Sequence, residues 1–282
     1  MTQLVCDSGS TKATWCLVSD NSKKEIFKTE GYNPYFVTSD QIIQSLQYQL
    51  LKELDANSID KVFFYGAGCS SVENNLSVSS ALKKCFPNAE INVDHDLLAA
   101  ARALLFDKKG FAAILGTGTN SAIYDGKDIV NNIDSLGYFL GDEGSGSYLG
   151  KKLLRDHLRN YLPKELNEKF KQICELNKEQ IFYRLYNQPL PNRFLASFAI
   201  FFGQNKEHEY CQRIVREGFD DFFENLVSGY SSYKNYSFNC VGSIAYSFQD
   251  ILTSTANKYE MPMGIIIRSP IDRLVEYHEK FI

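Results

Sequence analysis

Two stretches of the chain follow the same plan, and that repetition narrows the fold more than any other feature. VCDSGSTKATWCLV (5–18) and AILGTGTNSAIYDG (113–126) each run from an apolar strand into a tight turn of glycines and hydroxyls, then straight into a second strand. They match weakly residue by residue and closely in pattern. A duplicated strand–turn–strand opening predicts two related lobes with a cleft between them. Ordinary hairpin turns account for each stretch separately, since glycine supplies the positive φ and small polar residues bend the chain. A backbone cradle for phosphate accounts for both together, because glycine lets an oxyanion approach and N–H groups and hydroxyls converge on it. In that reading the donors are Gly9, Ser10 and Thr11 in the first turn and Gly116, Thr117, Gly118 and Thr119 in the second, with Lys12 adding a cation. Neither turn has the GxxxxGK[ST] spacing of a Walker A loop.

Between and beyond these turns the chain alternates short apolar runs with helical spacing. Strands are predicted at 3–7, 13–19 and 24–30, a helix over 39–54 capped by Ser39, the strand KVFFYGAG (61–68) and a helix near 72–86. The strand EINVD follows, then a helix from about Leu97. The order β-β-β-α-β-α-β-α indicates an α/β sheet with parallel members, whose ligands gather at the strand ends. The second series opens at residue 110, turns helix-rich over 163–236, and closes with a strand, a Gly-Ser turn and helix, a last strand and a helix begun by Pro270. The Phe/Tyr stripes in RFLASFAIFF and EGFDDFFENLV read as helix-packing core.

At 282 residues the chain has ample material for two lobes, and 44% hydrophobic with 23% charged residues is ordinary globular usage. A net charge of −4 supplies no basic field for nucleic acid or anionic lipid, so no partner of either kind is expected. The N-terminus lacks the basic and apolar regions of a signal peptide, and no apolar run approaches a membrane span. Seven scattered cysteines without a CxxC pair indicate reduced thiols and a cytoplasmic location.

Five acids and two amides stand out as chemistry-bearing. Asp7, at the base of the first turn, reads either as a partner of hydrated Mg²⁺ or as a turn-capping carboxylate. INVDHDLLAAARAL ends a strand with Asp94 and Asp96. Asp96 is placed to cap the following helix or to accept a proton from a hydroxyl, and is preferred to Asp94 as a general base. Asp142 and Glu143 lie between glycines in GDEGSGSYLG, where a constrained loop would aim a carboxylate at a polyol. Asn33 in GYNP and Asn120 in GTGTNS are matching sugar-hydroxyl candidates, Asn33 being equally suited to the turn before Pro34.

In this order, DSGSTK, GAG, VDHDLLAA, LGTGTNS, LGYFLGDEGSGSYLG, VGSIAYSF and SPIDRLVEYH resemble the N-acetylglucosamine kinase family, of the BadF/BadG-type ATPases in the actin-like sugar-kinase superfamily. The resemblance spans nearly the whole chain, and GDEGSG after a glycine–threonine turn is its most specific part. It implies two duplicated actin-like, ribonuclease-H-like lobes, each a mixed five-stranded sheet with helices. The expected division is 1–106 and 107–282, with a helical insertion over about 144–236 and a final helix, about 270–282, packing back on the first lobe. It implies ATP-dependent phosphorylation of an amino-sugar hydroxyl, usually at C6, with ATP and Mg²⁺ required and a homodimer expected. Carried over, Asp7 orients hydrated Mg²⁺, Gly9 to Lys12 approach the phosphates, and Gly116, Thr117 and Gly118 form the second phosphate turn. Gly242 and Ser243 form the adenosine-side turn, Asp96 is the catalytic acid–base residue, and Asn33, Thr119, Asn120 and Asp142 reach the sugar.

The family often carries Gly-Gly-Trp-Gly before the acidic loop. Here Asp134-Ser135-Leu136-Gly137 stands instead, which removes an aromatic platform and leaves the sugar open. Two other activities are compatible with the fold: an ATPase that drives a partner protein, whose clustered cysteines this chain lacks, and a non-catalytic sugar sensor.

Overall fold

In a computed structural model the described residues are 1–19 and 23–281; Ile282, the last residue of the expected closing helix, lies outside them. The first series forms β1 (Gln3–Ser8), β2 (Lys12–Val18), β3 (Lys24–Glu30), α1 (Ser39–Gln49), β4 (Lys61–Gly66), α2 (Val72–Cys85), β5 (Glu90–His95) and α3 (Asp96–Leu105). The second opens with β6 (Gly110–Leu115), β7 (Thr119–Tyr124) and β8 (Ile129–Asn132). A helical stretch follows: α4 (Gly137–Leu140), α5 (Gly146–Leu158), α6 (Lys164–Ile173), α7 (Lys178–Asn187), α8 (Pro191–Ser197), α9 (Ala199–Gln204) and α10 (Glu209–Asn225). It closes with β9 (Phe238–Val241), α11 (Ser243–Ser247), α12 (Gln249–Lys258), β10 (Met263–Ile267) and α13 (Ile271–Phe281).

The strands make two five-stranded sheets, ordered β3-β2-β1-β4-β5 and β8-β7-β6-β9-β10. In each, the opening strand pairs antiparallel with the second across the glycine–hydroxyl turn. Its other side pairs parallel with the fourth, which pairs parallel with the fifth. The repeated sequence pattern is therefore a repeated sheet, and both lobes have the mixed five-stranded architecture expected.

The chain divides into two compact units: Met1–Lys109 with Asp125–Ile129 and Ser269–Ile282, and Gly110–Tyr124 with Val130–Arg268. In the first unit the central strands are buried on both faces, which is why they read as unbroken apolar runs. Leu4, Cys6, Val62 and Phe64 pack with Ile42 and Leu46 of α1 and Val78 and Leu82 of α2. The other face carries α3 and α13. There Phe63 stacks on His278, ring centroids 4.0 Å apart, and Arg273 Nε donates to the Ala103 carbonyl oxygen of α3. A buried polar chain completes that contact: Arg102 Nη1 donates to Tyr65 Oη at 2.7 Å, and the Tyr65 hydroxyl lies 3.0 Å from His278 Nε2. Burial first, and the Arg102 charge second, push the His278 imidazole down to about 3, so it is neutral.

In the second unit the core joins Phe111, Ala113 and Leu115 of β6 to Phe201, Phe202, Phe219, Phe222 and Phe223. The aromatic stripes are core, as their spacing indicates. Several boundaries differ from the periodicity. Thr38, not Ser39, caps α1 through a capping box with Gln41, and the helix stops at Gln49 although Leu50 and Leu54 remain buried. Among the described residues no helix is long and apolar enough to cross a membrane.

Candidate active site

Parallel pairing brings the carboxyl ends of three strands to one level in the first unit, with Ser8 beside Gly66 and Gly66 beside His95. Asp7 sits one residue from the end of β1, and Asp96 immediately follows β5. Asp96 is not the helix cap that its position suggests. His95 is, its Nδ1 accepting the Leu98 N–H at 3.2 Å, while the Asp96 carboxylate accepts from the backbone N–H groups of Asp96 and Leu97 in the first turn. Withdrawal from water, then the charge of Asp96, raises Asp7 to about 7, while Lys12 offsets part of the rise. Asp96 is raised too, chiefly by burial, with His95 opposing. Both acids keep part of their surface open. The two candidate bases also separate: Asp96 acts on Asp7, whereas Asp94 acts on the Tyr65–Arg102 pair.

The first turn is a hairpin loop closed by the Gly9 N–H to the Lys12 oxygen at 3.0 Å. The chain returning after β3 is pinned over it: Gly31 N donates to Thr11 O, and Tyr32 N donates to the buried Ser8 Oγ at 2.9 Å. This brings Asn33 beside the loop, where its Nδ2 donates to Ser10 Oγ at 3.2 Å. Asn33 is only 8% exposed and leans against Gly68, at φ +82°, where a Cβ would lie 2.3 Å from Asn33 Oδ1. Glycine is required there both for its conformation and for space. Asp7, Ser10, Lys12, Asn33 and Asp96 thus gather at one edge of one sheet.

The second unit repeats the arrangement with different chemistry. The turn after β6 is closed by Gly116 N to Gly118 O at 3.0 Å. It is then clasped by the start of α5, since Gly146 N donates to Gly116 O and Ser147 N to Thr117 O. Asp142, in a left-handed conformation at φ 57°, accepts the Thr119 N–H at 3.0 Å and is raised to about 6, chiefly by burial. Thr119 is buried, and its hydroxyl donates to the Glu143 carbonyl at 2.7 Å, so its side chain braces the acidic loop. Asn120 Oδ1 accepts from Ser121 N and from Asn132 Nδ2. Gly242, at the end of β9 with φ +138°, lies so close to β6 that a Cβ would fall 2.1 Å from Leu115 O. Leu136, in the stretch that departs from the family pattern, is 60% exposed.

A pocket of about 410 Å³ opens at these strand ends, lined by Gly116, Thr117 and Ser243 among others. Its far wall was not legible as a site. Ala196, Ala199, Ile200 and Gly203 of α8 and α9 line it, while Phe198, Phe201 and Phe202 of the same run are core. The small residues between the aromatics were the only signal, and the aromatic stripe masked it. Among the described residues no group of three or more His, Cys, Asp or Glu side chains is arranged to hold a metal ion.

No family model matches the chain, and no curated protein matches it in sequence. Among solved structures, a protein of Porphyromonas gingivalis described as a "putative N-acetylglucosamine kinase" is 37% identical over 99% of both chains, with a TM-score of 0.92. A protein of Chromobacterium violaceum with the same description shares the fold at a TM-score of 0.73, with 14% identity over 98% of both chains. A ROK-family glucokinase of Streptomyces griseus, in complex with glucose and AMPPNP, shares it at 0.57, with 13% identity over 99% of both. Full-length identity to the first of these, on a fold whose two sheets repeat one another, shows that this chain belongs to the N-acetylglucosamine kinase family and is a sugar kinase.

Proposed function

We propose that the chain transfers the γ-phosphoryl group of ATP to the C6 hydroxyl of N-acetylglucosamine. The observation that carries this reading is the pair Asp7 and Asp96, two partly open carboxylates at one sheet edge, where the Asp96 charge raises Asp7. Asp96 accepts the hydroxyl proton as the sugar oxygen bonds to phosphorus and the bond to the departing ADP oxygen breaks. Gly9 to Lys12 and Gly116 to Gly118 cradle phosphate oxygens through backbone N–H groups, and Lys12 contributes charge. Gly242 and Ser243 border the nucleoside, in keeping with the pocket they adjoin. Asn33 and Asp142 hold sugar hydroxyls, Asn120 extends that set, and Thr119 holds Asp142 in place. Asp7, raised by burial and then by the Asp96 charge, is a fitting carboxylate for a divalent cation and would hold hydrated Mg²⁺, which supplies charge neutralisation on the phosphates.

The test is a coupled assay of ADP release against N-acetylglucosamine, glucosamine, N-acetylmannosamine and glucose. The unsubstituted chain is expected to release ADP in proportion to added amino sugar. Asp96→Asn is expected to lower turnover about a thousandfold while nucleotide affinity changes less than about twofold. Normal turnover by Asp96→Asn rejects the base assignment, and ADP release indifferent to sugar rejects the kinase reading.

A further inference from the structure

Tyr35 is an aromatic side chain left 65% exposed immediately beside the amide assigned to the sugar. A single exposed aromatic is ordinary on a protein surface; this one is singled out by its place, on a turn whose backbone is fixed. Asn33-Pro34-Tyr35-Phe36 is a tight turn closed by Phe36 N to Asn33 O at 2.8 Å, with Pro34 at the first inner position that its ring favours. Tyr35's own backbone N–H donates to Asn33 Oδ1 at 3.0 Å, so the Asn33 amide and the Tyr35 main chain are tied together. Across from both is Gly68, where a Cβ would lie 3.0 Å from Tyr35 Cδ2 as well as 2.3 Å from Asn33 Oδ1. The missing side chain lets the ring lie against the turn after β4. The next residue, Cys69, is buried, and its thiol is raised first by that burial and then by the charges of Asp96 and Asp94.

We infer that Tyr35 is the apolar platform for the sugar ring, which rests on the reading of this edge as the sugar site. An aromatic face binds the C–H face of a pyranose, and that face is flat only where the substituents are equatorial. Asn33 fixes hydroxyls from the side, and Tyr35 covers the face. The residue thereby selects gluco-configured pyranoses and disfavours the C2 epimer, whose axial substituent stands off the ring plane.

The experiment compares Tyr35→Ala and Tyr35→Phe with the unsubstituted chain, by steady-state kinetics and by calorimetric titration of N-acetylglucosamine. Tyr35→Ala is expected to raise KM and the dissociation constant for N-acetylglucosamine about tenfold, with kcat within about threefold and KM for ATP within about twofold. Its preference for N-acetylglucosamine over N-acetylmannosamine is expected to shrink by a similar factor, and Tyr35→Phe to keep both. A KM within about twofold of the original in Tyr35→Ala overturns the platform and leaves the kinase reading intact. So does an equal rise in KM for ATP, or a Tyr35→Phe variant as poor as Tyr35→Ala. An unsubstituted chain that neither binds nor phosphorylates any of the four sugars overturns both.

Discussion

Folded Asp7 titrates near pH 7, whereas the same side chain in an unfolded chain titrates near 3.8. Between those values the folded chain binds more protons than the unfolded one, so stability falls as pH rises through that window. The nucleotide-free protein therefore carries a destabilising acid at neutral pH. Asp7→Asn is expected to raise the unfolding free energy at pH 7.5 by about 1–3 kcal/mol, the partial exposure of the carboxylate limiting the gain, and to change little at pH 4. Thermal unfolding at the two pH values, without ligands, checks this; equal Tm shifts at both would contradict it. The same substitution is expected to remove most kinase activity. Stability and function are opposed at this one side chain.

At the level of elements, the strand ends are where sequence patterns were most and least informative. Apolar runs ending in glycine and acid located β1 and β5 within a residue, β4 within two, and the start of β6. Periodicity could not say that His95 rather than Asp96 caps α3, because both are polar and adjacent; only the direction of the imidazole decides it. Nor could it find the pocket wall of α8 and α9, whose small residues carry no chemistry of their own. Gly242 is the element-scale pivot of the second sheet. Gly242→Ala adds a Cβ against Leu115 O at a backbone angle L residues avoid, so β6 and β9 must part at the pocket. A loss of about 2–4 kcal/mol in denaturant unfolding and at least about tenfold weaker nucleotide binding are expected. Unchanged nucleotide affinity would detach this turn from the pocket.

At the scale of the whole molecule, the duplication was readable in two weakly similar stretches, but the strand order common to both sheets was not, since parallel pairing leaves no periodic mark. What completes the first sheet was equally hidden from local pattern. Ile271, Leu274, Val275, Tyr277 and His278 of α13 are buried, and the helix lies on β1, β2 and α3 although well over 150 residues separate it from all three. A fragment of residues 1–109 is accordingly expected to lack cooperative unfolding, and added peptide 269–281 to restore it, as followed by circular dichroism. Cooperative melting of the fragment alone would show that α13 is dispensable. On the ribosome this connectivity reverses the order of the gene: the second unit has all its own strands before the last helix emerges, while the earlier one waits with a bare hydrophobic face. Chaperone dependence during synthesis, and sensitivity to truncation late in the message, follow from one helix that returns to where the chain began.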